Sequence, residues 1–103
     1  MLNNKELLTK MLEALNLAID TADATIGTTT HGANAVSTTD CTKTGYTPLG
    51  IIGYNWATGT RQNWFSPYRL YISGNTVNYS FLNAHATDSA SGTVTFYILY
   101  MKK

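Results

Sequence analysis

Charge is what this 103-residue chain has least of: Asp, Glu, Lys and Arg together make up 13%, about half of what ordinary soluble domains carry. The formal net charge is +1, so neither nucleic acid nor an anionic membrane surface gains an electrostatic reason to bind. Cys41 is the one cysteine, which excludes an intrachain disulfide and a CxxC metal knuckle. No apolar run approaches the ~20 residues needed to cross a bilayer. Glu6 and Glu13 interrupt the N-terminal segment, which lacks a basic start followed by a continuous apolar core, so no secretory leader is expected. The chain is expected to be made in the cytosol and to leave it, if at all, by another route.

The groups that catalysis uses are equally scarce. There are two histidines, His31 and His85, and six acidic residues. Glu6, Glu13, Asp20 and Asp23 fall in the N-terminal segment, which leaves Asp40 and Asp88, and nothing in the sequence brings those two to one cleft as paired-carboxylate hydrolysis needs. No Gly-x-Ser-x-Gly elbow occurs, and Gly50, Gly53 and Gly59 are not followed by the Gly-Lys-Ser/Thr of a phosphate loop. Cys41 lies in a threonine-rich stretch and reads as a small packed residue. His85-Ala-Thr-Asp88 reads as a loop histidine beside a turn aspartate, although symmetry in an oligomer could multiply a single metal ligand. No catalytic residue, metal ligand or cofactor is expected.

What the chain does have is 44% apolar residues, 12% aromatics with seven tyrosines, and a polar complement drawn from Thr, Asn, Ser and Gly. That balance is typical of β-rich adhesive or structural proteins. At the N-terminus, Asn3 three residues before Glu6 forms a capping-box-like start. Leu8, Leu12, Leu15, Ile19, Ala22 and Ile26 then follow at alternating spacings of four and three, the pattern of a helical heptad seam. A second apolar row, Leu7, Met11, Ala14 and Ala18, runs beside it. The expectation is a coiled-coil helix over residues 1–26, ended at Gly27. Such a helix is marginal alone in water, and its two apolar rows call for copies of the chain or a partner to cover them.

Residues 27–45 read as a threonine-rich linker around His31–Asn34 followed by a polar strand. From Tyr46 onward strands dominate. Leu49–Trp56 forms one, opened by Pro48; Ala57–Asn63 is the longest polar loop; Trp64–Ile72 forms a second strand, bent at Ser66-Pro67. Ser73-Gly74-Asn75 signals a hairpin, and beyond it Val77, Tyr79 and Phe81 alternate with polar neighbours. Thr93–Met101 is apolar on both faces, which predicts burial on both sides, at a sandwich centre or a subunit interface. Residues 46–103 therefore predict a small antiparallel β-sandwich or barrel-like head, a unit so small that oligomerisation commonly supports it.

The stretches Lys43–Trp56 (KTGYTPLGIIGYNW), Arg69–Asn83 (RLYISGNTVNYSFLN) and Gly92–Lys103 (GTVTFYILYMKK) resemble, in order and spacing, the C-terminal domains of tail-fibre, baseplate and head-fibre proteins. Those proteins are encoded by phages and prophages of Gram-positive bacteria. The resemblance implies a homotrimeric virion component, with a β-structured head on a helical stalk. A short stalk stands here in place of a long shaft, which favours a spike, head fibre or decoration protein. The expected partners are the chain's own copies, another virion protein docked on the helix, and a cell-surface glycan. For the glycan, the aromatic faces and donors of Trp56, Arg61, Asn63, Trp64 and Tyr68 around the polar loop are the candidates. The competing reading makes both tryptophans and Tyr68 core or interface residues. A stand-alone lectin-like module and, less favoured, an enzyme are the alternative functions.

Overall fold

The computed structural model describes residues 3–103; Met1 and Leu2, which open the expected helical segment, lie outside them. Helix α1 spans Asn4–Ala14. Its cap is the one the sequence signals. Asn3 Oδ1 accepts the Glu6 backbone N–H at 2.8 Å, and Asn3 Nδ2 donates to Glu6 Oε1 at 3.0 Å, which satisfies one of the orphan donors of the first turn.

The helix then stops, well short of residue 26. Asn16 adopts a left-handed backbone, φ 60°, and its N–H closes on Glu13 O at 3.0 Å. Asparagine is among the few residues that tolerate this conformation at a helix C-terminus. Strand β1 follows at once, Leu17–Thr29. Ala22, Ala24 and Ile26 point inward while Thr21, Asp23 and Thr25 are exposed, the two-residue period of a half-buried strand. Ile19, Ala22 and Ile26 thus belong to a strand, and the heptad seam is reduced to Leu8, Leu12 and Leu15.

Five further strands complete the fold: β2 Asn34–Asp40, β3 Tyr46–Thr60, β4 Phe65–Ser73, β5 Thr76–Asn83 and β6 Ala90–Lys102. They form two three-stranded sheets, ordered β1-β6-β3 and β2-β5-β4, with every pair antiparallel. Only β4 and β5 are joined as a hairpin. Its turn sits at Gly74-Asn75, between the paired Ser73 and Thr76, and Gly74 supplies the φ of +60° that the turn requires. Every other connection crosses from one sheet to the other.

The two sheets face each other across one apolar core. Phe81 is its centre: fully buried, it meets Tyr54, Trp56, Phe65, Tyr79 and Phe96 at ring-centroid distances of 5.2–6.3 Å. Each such buried aromatic removes enough apolar surface from water to contribute about 1.5–3 kcal/mol. Polar atoms in the core are paired. Tyr100 Oη donates to Cys41 O at 2.6 Å, and burial, with smaller contributions from Cys41, Asp20 and Asp40, pushes the phenol up to about 12. The rim is closed by Lys43 Nζ on Asp20 Oδ2 at 2.9 Å. That bond, with the Thr21 N–H, holds the carboxyl below its usual range.

β3 is irregular. Its register against β6 shifts between Pro48 and Gly50, between Ile51 and Gly53, and between Trp56 and Thr58, so Leu49, Ile52 and Ala57 are extra residues of β-bulges. The strand runs on to Thr60, which absorbs the first half of the expected Ala57–Asn63 loop. A single 3₁₀ turn, Gln62–Trp64, then leads to β4. The turn lies tightly on the sheet. A Cβ at Gly59 would approach Ser91 O to 2.5 Å, and one at Gly92 would meet Thr58 O at 2.9 Å and Gln62 Cβ at 3.0 Å, so this paired site admits only glycine. β6, the central strand of its sheet, buries Val94, Phe96, Ile98 and Tyr100. Its other face, expected to be buried as well, is open within one chain: Tyr97 and Met101 are exposed.

Candidate functional site

The five residues singled out around the polar loop part company in the structure. Trp56 is a core residue. Its ring stacks on Phe65 at 5.3 Å, tilts against Phe81 at 5.2 Å and meets Tyr54 edge-on at 6.4 Å. Tyr68 lies at the β4 bulge between Pro67 and Arg69 and is 74% exposed. Arg61, Asn63 and Trp64 stay together on the turn at one end of the sandwich.

That end presents a half-exposed aromatic ring on a hydrogen-bonded backbone. Arg61 takes a left-handed backbone, φ 52°, which is strained for a non-glycine residue. Its Nε donates to Ser89 O at 2.6 Å, and its carbonyl accepts the Trp64 N–H at 3.0 Å. The Trp64 carbonyl in turn accepts the Ala84 N–H at 2.9 Å. The indole is half exposed and meets the His85 ring edge-to-face, 4.9 Å between centroids and 77° between planes. His85 is itself fixed: Nδ1 accepts the N–H groups of Thr87 at 3.2 Å and Asp88 at 2.9 Å. A neutral ring bonded in this way carries its proton on Nε2.

Asn83 underlies the whole end and was not among the expected site residues. It is fully buried. Its Nδ2 donates to Thr29 O at 2.9 Å and Asp88 O at 3.0 Å, while Oδ1 accepts the His85 N–H at 2.9 Å. Its backbone N–H donates to Ala33 O, and its carbonyl accepts from the Gly32 N–H. Side chain and backbone of this one residue thereby tie the end of β1, the β1–β2 loop, the end of β5 and the loop before β6. The hairpin register holds the signal that could have found this cluster. Counting back from Gly74-Asn75, with one bulged residue in β4, sets Phe65 against Asn83 and so carries Trp64 to Ala84-His85.

Chemically, this end can stack a flat or C–H-rich ligand face on Trp64 and offer donors from Asn63 and the free guanidinium nitrogens of Arg61. Among the described residues, no group of three His, Cys, Asp or Glu side chains converges as a metal site would require. Cys41 is buried, and burial, together with the neighbouring Asp40 charge, pushes its thiol up, away from the thiolate that nucleophilic chemistry uses.

A second surface stands apart from the first. No described residue of α1 is buried. Leu7, Leu8 and Met11 are about half exposed, and Leu15, which caps the helix, is 66% exposed. Leu8 and Leu12 share a cleft of about 320 Å³ with Leu17, Ala18, Ile19, Lys43 and Tyr46, so the helix leans over the start of β1 without closing on it. No described helix is long and apolar enough to cross a membrane. A scan against protein-family models, a search of curated proteins and a search of solved structures each found no match.

Proposed function

We propose that this chain is a structural component of a phage particle, a short fibre, spike or decoration protein. In this reading it forms a homotrimer through its N-terminal helix and displays the β-head for attachment to the particle or contact with a host surface. One observation carries the reading: an eleven-residue helix with no buried residue leaves Leu7, Leu8 and Met11 about half exposed. A helix of that length is not stable alone in water, so its exposed apolar row needs neighbouring copies. The low charge, the β-rich build and the likeness of Lys43–Trp56, Arg69–Asn83 and Gly92–Lys103 to fibre-protein ends support the same reading. Assembly would take place in the bacterial cytoplasm, and the working location would be the virion.

Sedimentation equilibrium at micromolar concentration is expected to give three times the 11.3 kDa chain mass. The double variant Leu8→Asp/Met11→Asp is expected to sediment as a monomer with an unchanged β-sheet spectrum. A monomeric wild-type chain would refute the reading, and mass spectrometry of purified virions addresses location directly.

The half-exposed Trp64, set edge-to-face against His85, favours a second, compatible reading, in which the far end of the head contacts a glycan. Individually weak contacts repeated on symmetric copies would gain through avidity. On a glycan array the wild-type assembly is expected to bind, and Trp64→Ala is expected to lose that binding by tenfold or more, as truncating a tryptophan anchor that costs about 2 kcal/mol would. Binding unchanged in Trp64→Ala removes this end as the site.

A further inference from the structure

The outer face of the β2-β5-β4 sheet is hollowed along its middle strand. Two successive rungs of that face run Val36–Ser80–Arg69 and Thr38–Asn78–Tyr71, and they line a groove of about 140 Å³. Val77, Tyr79 and Phe81 turn into the core from β5, which leaves Asn78 and Ser80 facing out as the floor. Ser80 is the smallest side chain of the six. It is 6% exposed even though it lies on the outer face, because Val36 and Arg69 stand above it on either side.

The β4 bulge is what brings Arg69 to this groove. Ser66 faces out opposite Leu82, so strict alternation would turn Tyr68 outward and Arg69 into the core. The register shift between Pro67 and Arg69 adds one residue, and Tyr68, Arg69 and Tyr71 are then all exposed. Bulges commonly re-aim a side chain in this way.

The guanidinium so placed has no counter-charge. Among the described residues the ion pairs are Lys10–Glu13 and Lys43–Asp20, and neither involves Arg69. Asp40, the acidic residue of β2, pairs with Thr76, four residues along β5 from Ser80 and so about 14 Å away along the strands. Its carboxylate is already held by the Thr42 N–H and Oγ1 at 3.3 and 2.7 Å. Arginine is a planar fork of donors that matches two oxygens of a carboxylate or phosphate. Beside it, Tyr71 offers a half-exposed ring for a C–H-rich face, and Thr38, Asn78 and Ser80 offer hydroxyl and amide groups that both donate and accept. The volume falls below the ~300–1,000 Å³ of sites for drug-sized ligands, so the ligand is small, of the order of one sugar ring.

We propose that this groove binds an acidic sugar, a ring bearing a carboxylate or a phosphate. The anionic group pairs with the Arg69 fork, the ring lies on Tyr71, and its hydroxyls meet Thr38, Asn78 and Ser80. The site is on the sheet face, apart from the Trp64 end, and it does not depend on assembly of the chain.

Amide NMR titrations of the isotope-labelled chain test it with four probes: glucuronic acid, glucosyl phosphate, glucose and inorganic phosphate. At least one of the two acids is expected to shift the amides of Thr38, Arg69, Tyr71 and Asn78 saturably and to bind roughly tenfold or more tighter than glucose, less so at high salt. The tighter of the two acids identifies the anion. Arg69→Gln, at an exposed position, is expected to lose that binding by roughly tenfold or more. Ser80→Val keeps the charge but raises the floor, and a comparable loss is expected, with thermal melts as the fold control. If Ser80→Val folds poorly, Arg69→Gln decides alone. Trp64→Ala is expected to bind the acid like wild type, and loss there would move the site to the other end and overturn the proposal. It is equally overturned if neither acid gives a saturable shift, if glucose or inorganic phosphate binds the same amides as tightly as the acids, or if Arg69→Gln binds unchanged.

Discussion

Replacing Phe81 by alanine is expected to cost about 3–5 kcal/mol, the range for emptying a fully buried aromatic site. A domain of this size has about 5–15 kcal/mol in total, so the loss takes a large share of it. Phe81 touches five rings drawn from β3, β4, β5 and β6, and its removal leaves a void that several strands border at once. The two sheets cannot close on that void without breaking their ladders, so little of the cost is recovered by relaxation. At 4–8 °C per kcal/mol for a domain of this length, the thermal midpoint should fall by roughly 12–40 °C. Tyr68→Ala, at the exposed β4 bulge, is the control and should stay within about 0.5 kcal/mol of wild type. If Phe81→Ala melted within a few degrees of wild type, the core would not be centred where the rings converge.

The second large effect is expected at Asn83. In Asn83→Asp the shape is retained, but the two N–H donors to Thr29 O and Asp88 O become a carboxylate oxygen facing two carbonyl oxygens. An uncompensated buried charge costs about 3–5 kcal/mol. Burial raises the carboxyl pKa in the folded state above its unfolded value. The folded variant therefore binds the extra proton more readily than the unfolded chain, and its deficit should shrink as pH falls from 7 toward 5. Urea midpoints of variant and wild type at both pH values measure this, and equal midpoints at pH 7 would remove Asn83 from its central role. The same substitution should loosen His85 and with it the Trp64 ring, so tryptophan fluorescence should report greater solvent exposure before global unfolding begins.

The sequence announced some of this architecture and concealed the rest, for reasons that lie in particular residues. The Asn3–Glu6 cap, the Gly74-Asn75 hairpin and the inward set Val77, Tyr79 and Phe81 are local signals, and the structure follows them. The extent of α1 is different. Leu8 to Ile26 satisfy a four-three helical spacing, yet Ala22, Ala24 and Ile26 satisfy a two-residue period equally well. Pairing with β6, whose partner residues lie 61 to 84 positions away (Thr29↔Ala90 to Leu17↔Met101), decides between them, and no local window contains that information. Asn16 was the one nearby signal, a residue suited to a left-handed C-terminus standing in the middle of the apparent seam.

Trp56 illustrates a second kind of concealment. Alternation tells inside from outside only while the register holds. Each β-bulge inserts one residue and reverses the reading, and β3 contains three such shifts. Pro48, Ile51, Tyr54 and Trp56 turn inward at spacings of three, three and two, so a strict period of two cannot sort them. Trp64 escaped the core because the 3₁₀ turn lifts it beyond the end of β4. That placement depends on the glycine pair 59 and 92, which are distant in sequence and adjacent in space.

The crossing connections also govern when the fold can exist. β1 finds its only ladder partner in β6, and β3 pairs with the same strand, so neither has a template until residue 102 has been synthesised. The β4–β5 hairpin can form early because its pairing is local, whereas the β1-β6-β3 sheet must close a loop spanning most of the chain, the slow kind of contact. A growing chain therefore holds the β4–β5 hairpin before it holds the β1-β6-β3 sheet, and the two-sheet core closes only once β6 has been made.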